Sequence, residues 1–436
     1  MQILFPKRRE SSAGYLALAS VAALAAGWLL YITRVYKMGL TPDGLCYLSM
    51  AKGIVEGSGV SIRSSPVNDA PLAVTSYSPF LSFLLAIPAY FKADMQSATW
   101  VLNGVLFALT VFLSACLVYS GTGSVFCALF AESLLILDPP WFSSFTYVLS
   151  EPLFICLVTL EIYCLRGYLK NETWSSLFLA AFFAGLTALT RTLGVSYVVA
   201  GTLCVFLFSR CGWRERIFKG AAMGFLSSVF VGLWGLRNYR HGGYFFGKNF
   251  SKHLQWTSPR QYADIVVSDI LHYPQNAGML KSPGAFYVLL ALLVVGVIFS
   301  VLKCQKRSET ENRLPFVFFI FILSYSVFLI LALDSQRTNG DPEKFRYIAP
   351  IYGFFWCLFS LGVSRVHERL TLFNKTLGRS FACIFFVCAV LWLVPVAQHK
   401  ILWAQGILQN GVDYAKGERW WYYKHFSFLG ARSRMI

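Results

Sequence analysis

A chain of 436 residues that is 56% hydrophobic and only 14% charged is not a soluble globular protein, in which about 25% of residues carry charge. Its apolar runs are long and continuous rather than alternating, so of the two architectures a bilayer admits they fit helices and exclude a closed barrel. The net charge of +17 calls for no nucleic acid, because basic residues on inside loops account for it and no block of basic and aromatic residues forms a nucleic-acid surface.

In chain order, Lys7, Arg8 and Arg9 precede an apolar run from Ala13 to Ile32. The run is too long for a signal peptide and lacks a convincing cleavage site, so it reads as the first span with the N-terminus inside. Further spans are expected over 98–119, 123–138, 151–168, 174–190, 193–208, 218–235, 285–303, 314–333, 347–364 and 381–397. The stretch from Pro79 to Phe91 contains Pro88 and is about 13 residues long, short of the roughly 20 a span needs. Charge decides its placement. If it does not cross, Arg166, Lys170, Arg210, Arg214, Arg216, Lys219, Lys303, Arg313, Arg365 and Arg369 fall on inside loops; if it does, they all move outside. It therefore reads as an interfacial or re-entrant helix. The expected fold is an all-α polytopic membrane protein of about eleven transmembrane helices. A membrane domain covers 1–397, with long outer loops at 33–97 and 236–284, and an outer interfacial tail covers 398–436, where Trp420, Trp421, Tyr422 and Tyr423 lie among basic residues. No internal repeat of the kind many transporters carry is visible. The cysteines lie mostly in apolar spans with no CxxC pairing, as small buried residues.

Polar residues collect at the outer ends of these spans. In Thr41-Pro42-Asp43-Gly44, Thr41 is a helix cap, Pro42 fits the first helical position, and Asp43 falls in the first turn, where the helix dipole favours a carboxylate. Leu45, Leu48, Ala51 and Val55 form its apolar face, so this helix is expected to lie along the outer surface, with Asp43 and Tyr47 on one side. Asp43 is either a plain first-turn acid or a base for an acceptor hydroxyl. Arg237, in Leu236-Arg237-Asn238-Tyr239, ends span seven and opens the long loop. Arg346 starts span ten and Arg191 sits in the short turn between spans five and six. One such arginine can merely snorkel. Three at outer span ends, against the charge bias, fit an anionic ligand that guanidinium groups bind in a bidentate way. Glu151 opens span four as a first-turn acid or as a contact to an acceptor or metal. A carboxylate and a guanidinium on one side of a membrane point to group transfer from a lipid phosphate.

These residues, in this order, resemble the GT-C superfamily of membrane glycosyltransferases, in particular the aminoarabinose transferase and protein O-mannosyltransferase branch. The matching stretches are 43–53, Tyr77-Ser78-Pro79-Phe80, Leu149-Ser150-Glu151, 185–191, Trp234-Gly235-Leu236-Arg237-Asn238-Tyr239 and, more loosely, Arg346-Tyr347 with Pro350. The resemblance implies juxtamembrane helices at 44–57 and 79–91, a catalytic carboxylate at Asp43, and a polyprenyl-phosphate-linked sugar as donor. It further implies donor-phosphate contacts for Arg237, Arg346 and Arg191, and substrate contacts for Tyr47, Tyr77, Glu151, Asn238 and Tyr239. The implied setting is a bacterial inner membrane with the site facing the periplasm. The acceptor, a lipid, glycan or protein, stays open, as does a divalent metal. Many relatives carry a second acidic residue beside the first, where this chain has Gly44. Two other classes stay open on the residues alone: a transporter or lipid flippase, and a non-catalytic assembly subunit of the same fold.

Overall fold

A computed structural model describes residues 11–63, 70–245, 309–336 and 347–389. Within them the chain is helical apart from short turns and one two-stranded hairpin. Helix α1 (Ser12–Ile32) starts where Ser11 accepts the Gly14 N–H and packs along α4 (Met95–Thr122). α4 in turn meets α5 (Val125–Leu137) and α7 (Glu151–Asn171). α7 runs through the middle of the bundle, against α8 (Trp174–Thr190), α9 (Val195–Phe208), α11 (Glu309–Gln336) and α12 (Ala349–Phe373). α10 (Trp213–Gly242) lies outside α8 and α9. One apolar core joins these helices from Leu18 to Ala389.

Six of the helices are long and apolar enough to cross a bilayer: α1, α4, α7, α10, the Arg313–Leu331 part of α11, and α12. α5, α8 and α9 are apolar but have only 13, 17 and 14 residues. At a rise of 1.5 Å per residue they reach roughly 20–26 Å, short of a hydrocarbon core about 30 Å thick. The eleven expected spans are thus met in length by six. α5 stops because Asp138 leaves helical geometry to cap α6 (Pro139–Ser144), accepting the Trp141 N–H at 2.9 Å. α8 and α9 are parted by Arg191 and a 3-10 turn, Thr192–Gly194. The span expected at 285–303 lies outside the described residues; of 381–397, residues 381–389 are described and helical.

The first outer loop folds as its residues dictate. Thr41 Oγ1 accepts the Gly44 N–H at 3.1 Å, and α2 (Pro42–Val55) begins at Pro42. α3 (Phe80–Tyr90), 11 residues long, spans roughly 16 Å and is too short to cross. α2 and α3 thus form helices over the two stretches where helices were expected, packed on each other, with the Ser82 hydroxyl donating to the Tyr47 carbonyl at 3.0 Å. α2 is more enclosed than a helix with a single buried face. Tyr47 and Met50 are buried along with Leu45, Leu48 and Ala51, whereas Val55, expected on the apolar face, is exposed. The cause is a second neighbour: Gly39 and Tyr147 form a parallel bridge, with Gly39 N–H donating to Thr146 O and Val148 N–H to Gly39 O, both at 2.9 Å. Asn103 of α4 fastens this junction through its amide, to Phe145 O at 3.1 Å and Tyr147 O at 2.9 Å. Between α2 and α3 runs the hairpin of β1 (Ser61–Ile62) and β2 (Leu72–Ala73).

One expectation is corrected. Arg237 does not open a polar loop. α10 continues to Gly242, with 30 residues in all, and closes at Gly243 in the left-handed conformation (φ 71°) with Arg240 and His241 in its last turn. A glycine cap and basic residues near the C-terminus both favour extending the helix. At roughly 45 Å, α10 is longer than the hydrocarbon core is thick.

Candidate active site

The site assembles where the segment between α1 and α4 meets the N-terminal end of α7 and the C-terminal ends of α8 and α10. Asp43 is half-buried in the first turn of α2. The Tyr77 hydroxyl, from the segment between β2 and α3, donates to Asp43 Oδ1 at 2.8 Å. Burial, then the charge of Asp43, push the Tyr77 hydroxyl above the ordinary tyrosine range, so Tyr77 stays a donor. The Cys46 thiol lies beside the same hydroxyl and is also raised, chiefly by burial.

Tyr47 stacks edge-on against Tyr77, ring centroids 5.7 Å apart at 78°, and its hydroxyl donates to Ser150 Oγ at 3.0 Å. Burial raises this hydroxyl's pKa as well, and the charges of Arg191, Glu151 and Asp43 all reach it. Ser150 precedes α7, whose first residue, Glu151, is buried. Glu151 forms an ion pair with Arg191, the residue that ends α8. The Arg191 guanidinium also donates to Ser150 Oγ at 3.4 Å and lies 5.9 Å from the centre of the Phe154 ring. Asp43, Tyr77, Tyr47, Ser150, Arg191 and Glu151 therefore form one contiguous polar cluster.

Arg237 enters from α10. Its guanidinium donates to the backbone carbonyls of Val74 and Val60 (2.9 Å for the latter) and to Asn238 Oδ1 at 3.2 Å, and it lies 4.6 Å from the centre of the Trp234 ring. Asn238 is buried and donates to Thr75 O at 3.3 Å. These two residues fasten the hairpin segment, two residues short of Tyr77, to α10. A guanidinium has five N–H groups, and these bonds occupy three of Arg237's. Between Tyr77, Ser78, Thr192, Trp234, Asn238 and Phe245 lies a crevice of about 10 Å³, room for roughly one water molecule.

The structure brings Asp43, Tyr47, Tyr77, Glu151 and Arg191 together and sets Arg237 and Asn238 against the same loop. Tyr239 is 62% exposed and turns away from Asn238's buried side. Arg346 lies outside the described residues. Glu151, considered as a metal or acceptor contact, is paired with Arg191. Among the described residues no three His, Cys, Asp or Glu side chains converge to hold a metal ion. Three participants were missed in sequence: Cys46, Ser150 and Trp234. Cys46 and Trp234 each lie three residues from a recognised site residue on the same helix face, a signal that was available. The carbonyls of Val60 and Val74 give no sequence signal.

No protein-family model matches the chain, and no curated protein matches it. Solved structures do. ArnT from Cupriavidus metallidurans bound to undecaprenyl phosphate superposes with a TM-score of 0.53 at 15% identity, over 96% of this chain and 77% of ArnT. ArnT in the apo state gives 0.54 at 15% identity, over 97% and 77%. The Archaeoglobus fulgidus oligosaccharyltransferase in the apo form gives 0.51 at 13% identity, over 88% of this chain and 55% of that one. In its fold, this chain is similar to the GT-C membrane glycosyltransferases.

Proposed function

We propose that the chain is an integral membrane glycosyltransferase that moves a sugar from a polyprenyl-phosphate donor to an acceptor, with inversion. The observation that carries this reading is the half-buried Asp43 carboxylate at a helix N-terminus, held by Tyr77 in one cluster with an arginine ion pair. The fold, shared with a protein solved with undecaprenyl phosphate bound, supports it. In this reading α5, α8 and α9 also cross the membrane and, with the spans expected at 285–303 and 381–397, bring the total to eleven, with Asp43, Arg191 and Arg237 on the outer, periplasmic side.

Asp43 accepts the proton of an acceptor hydroxyl or amine. The freed lone pair attacks the anomeric carbon from the face opposite the phosphate. The bond from that carbon to the phosphate oxygen breaks, and the polyprenyl phosphate leaves with the electron pair. Arg237 meets the growing negative charge with the N–H groups its hairpin bonds leave over, assisted by Arg191 and Arg346. Tyr77 fixes the Asp43 carboxylate through Oδ1.

The test is an Asp43→Asn variant assayed for sugar transfer, with its co-purified lipids identified by mass spectrometry. Transfer should vanish while the protein stays folded and retains a polyprenyl-phosphate sugar. Normal turnover by the variant removes Asp43 as the base. Ordinary phospholipids alone on both proteins, with no transfer by wild type, favours a transporter or an assembly subunit.

A further inference from the structure

A second feature lies at the other end of the same helices. α8 runs from Trp174 to Thr190 and ends at Arg191, so its first turn is roughly 25 Å from the candidate site. There α8 and α10 diverge and leave a wholly apolar groove of about 560 Å³, floored by Ala221 and Ala222 and walled by Trp174, Phe178, Phe218 and Phe225. The volume is within the range of small-molecule pockets, roughly 300–1,000 Å³. It is open rather than filled: Phe218 is 64% and Phe225 73% exposed. Trp174 is fixed at its rim by an edge-on contact to Phe218, centroids 5.9 Å apart. On α10 the groove stripe continues one turn back to Arg214, four residues before Phe218. Arg214 and Lys170 are exposed. The adjoining segments 166–172 and 210–219 carry six basic residues against two acidic ones. Both acids are already engaged: Glu215 pairs with Lys219 at 2.7 Å, and Glu172 accepts the Arg210 backbone N–H.

An apolar slot on this helix pair, with a net excess of positive charge in the segments next to one end, matches one ligand chemistry: an acyl chain with an anionic head group. We propose that this groove is a binding site for an anionic phospholipid of the leaflet opposite the candidate active site. One acyl chain lies between Trp174 and Phe225, and the phosphate sits at Arg214. Small residues at 221 and 222 admit the chain, and the aromatic walls hold it. This proposal is independent of the glycosyl-transfer reading and concerns none of that site's residues.

The full chain would be reconstituted in vesicles containing brominated phosphatidylglycerol or brominated phosphatidylcholine, and the Trp174 emission isolated by subtracting Trp174→Phe. Half-quenching should need about fivefold less of the brominated anionic lipid, the preference expected for one basic side chain at the membrane surface. Arg214→Gln should abolish that preference while leaving Trp174 quenched equally by both lipids. Ala222→Phe, which narrows the groove without touching Arg214 or Trp174, should also reduce it. Equal quenching by both lipids in wild type would mean ordinary surrounding lipid and overturn the proposal. No quenching by either would mean that protein, a second copy or another part of this chain, covers the groove, and would overturn it too. Retention of the full preference in Arg214→Gln would remove the head-group assignment.

Discussion

Gly44→Ala is a small change that should disturb the site without touching its chemistry. A Cβ at position 44 would lie 2.5 Å from the Val148 carbonyl oxygen and 3.3 Å from its Cβ. The obstacle is backbone and cannot swing aside, because the Val148 N–H is bonded to Gly39 and the Gly39 N–H to Thr146. Relief therefore requires α2 to move by about 1 Å relative to the 145–149 segment. Overpacking of this kind costs about 1–3 kcal/mol, against which the better helix propensity of alanine returns at most about 1 kcal/mol. The net is a loss of about 1–2 kcal/mol. Gly27→Ala is the control: it lies within α1, and its added Cβ meets nothing within 4 Å, so it should stabilise by about 0.5–1 kcal/mol. Thermal unfolding in detergent should move the two variants in opposite directions. If Asp43 is the base, displacing it by about 1 Å from the groups set by Ser150 and Glu151 should cost Gly44→Ala up to about 100-fold in transfer rate. A Gly44→Ala protein that melts at or above wild type would refute the close approach of α2 to Val148.

Three further outcomes are expected. Tyr77→Phe removes the bond to Asp43 and should slow transfer by roughly 10- to 150-fold, the equivalent of the roughly 1.5–3 kcal/mol that hydrogen bonds to charged groups contribute; an unchanged rate would remove Tyr77 from the positioning role. Arg191→Met leaves the buried Glu151 carboxylate without its partner and should destabilise by about 3–5 kcal/mol; Arg191→Met with Glu151→Gln should recover most of that loss in the same melting assay. Because burial raises the Cys46 thiol, it stays protonated at pH 7, so alkylation followed by mass spectrometry should label it slowly there and progressively faster as the pH rises past the ordinary thiol range.

How much of this was legible in the sequence follows from which interactions are local. The α2 cap, the first-turn position of Asp43 and the short α3 were readable because neighbouring residues decide them. The span count was less so: continuous apolar composition marks α5, α8 and α9, but not the early stops imposed by the Asp138 cap and the Arg191 turn. The end of α10 was misplaced because Arg237-Asn238-Tyr239 reads as a polar exit, whereas the stop is Gly243. The absence of a second acid after Asp43 looked like a departure from the family pattern; it is a packing requirement, since any side chain at 44 meets the Val148 carbonyl. The Arg191–Glu151 pair joins residues forty positions apart, and the Arg237 bonds end on backbone carbonyls, so neither had a local signature.

The same geometry explains how the segment between α1 and α4 holds Asp43 in place. A loop of that length at a membrane surface would ordinarily be mobile. Here it is fastened at both ends of its path: the Gly39–Tyr147 bridge and Asn103 fix the entry to α2, and Arg237 with Asn238 fixes the hairpin that leads to Tyr77. Asp43 and Tyr77, 34 residues apart, meet at 2.8 Å only because both anchors stand on long helices, α4 and α10, that reach the core. In the proposed function Arg237 thus has two demands on one guanidinium: two N–H groups for the hairpin carbonyls of Val60 and Val74 and others for an anion. Lysine, with a single ammonium and no planar fork, cannot meet both. Arg237→Lys should therefore lose the hairpin anchor even where its charge still attracts a phosphate, which couples donor binding to the placement of the Asp43–Tyr77 pair.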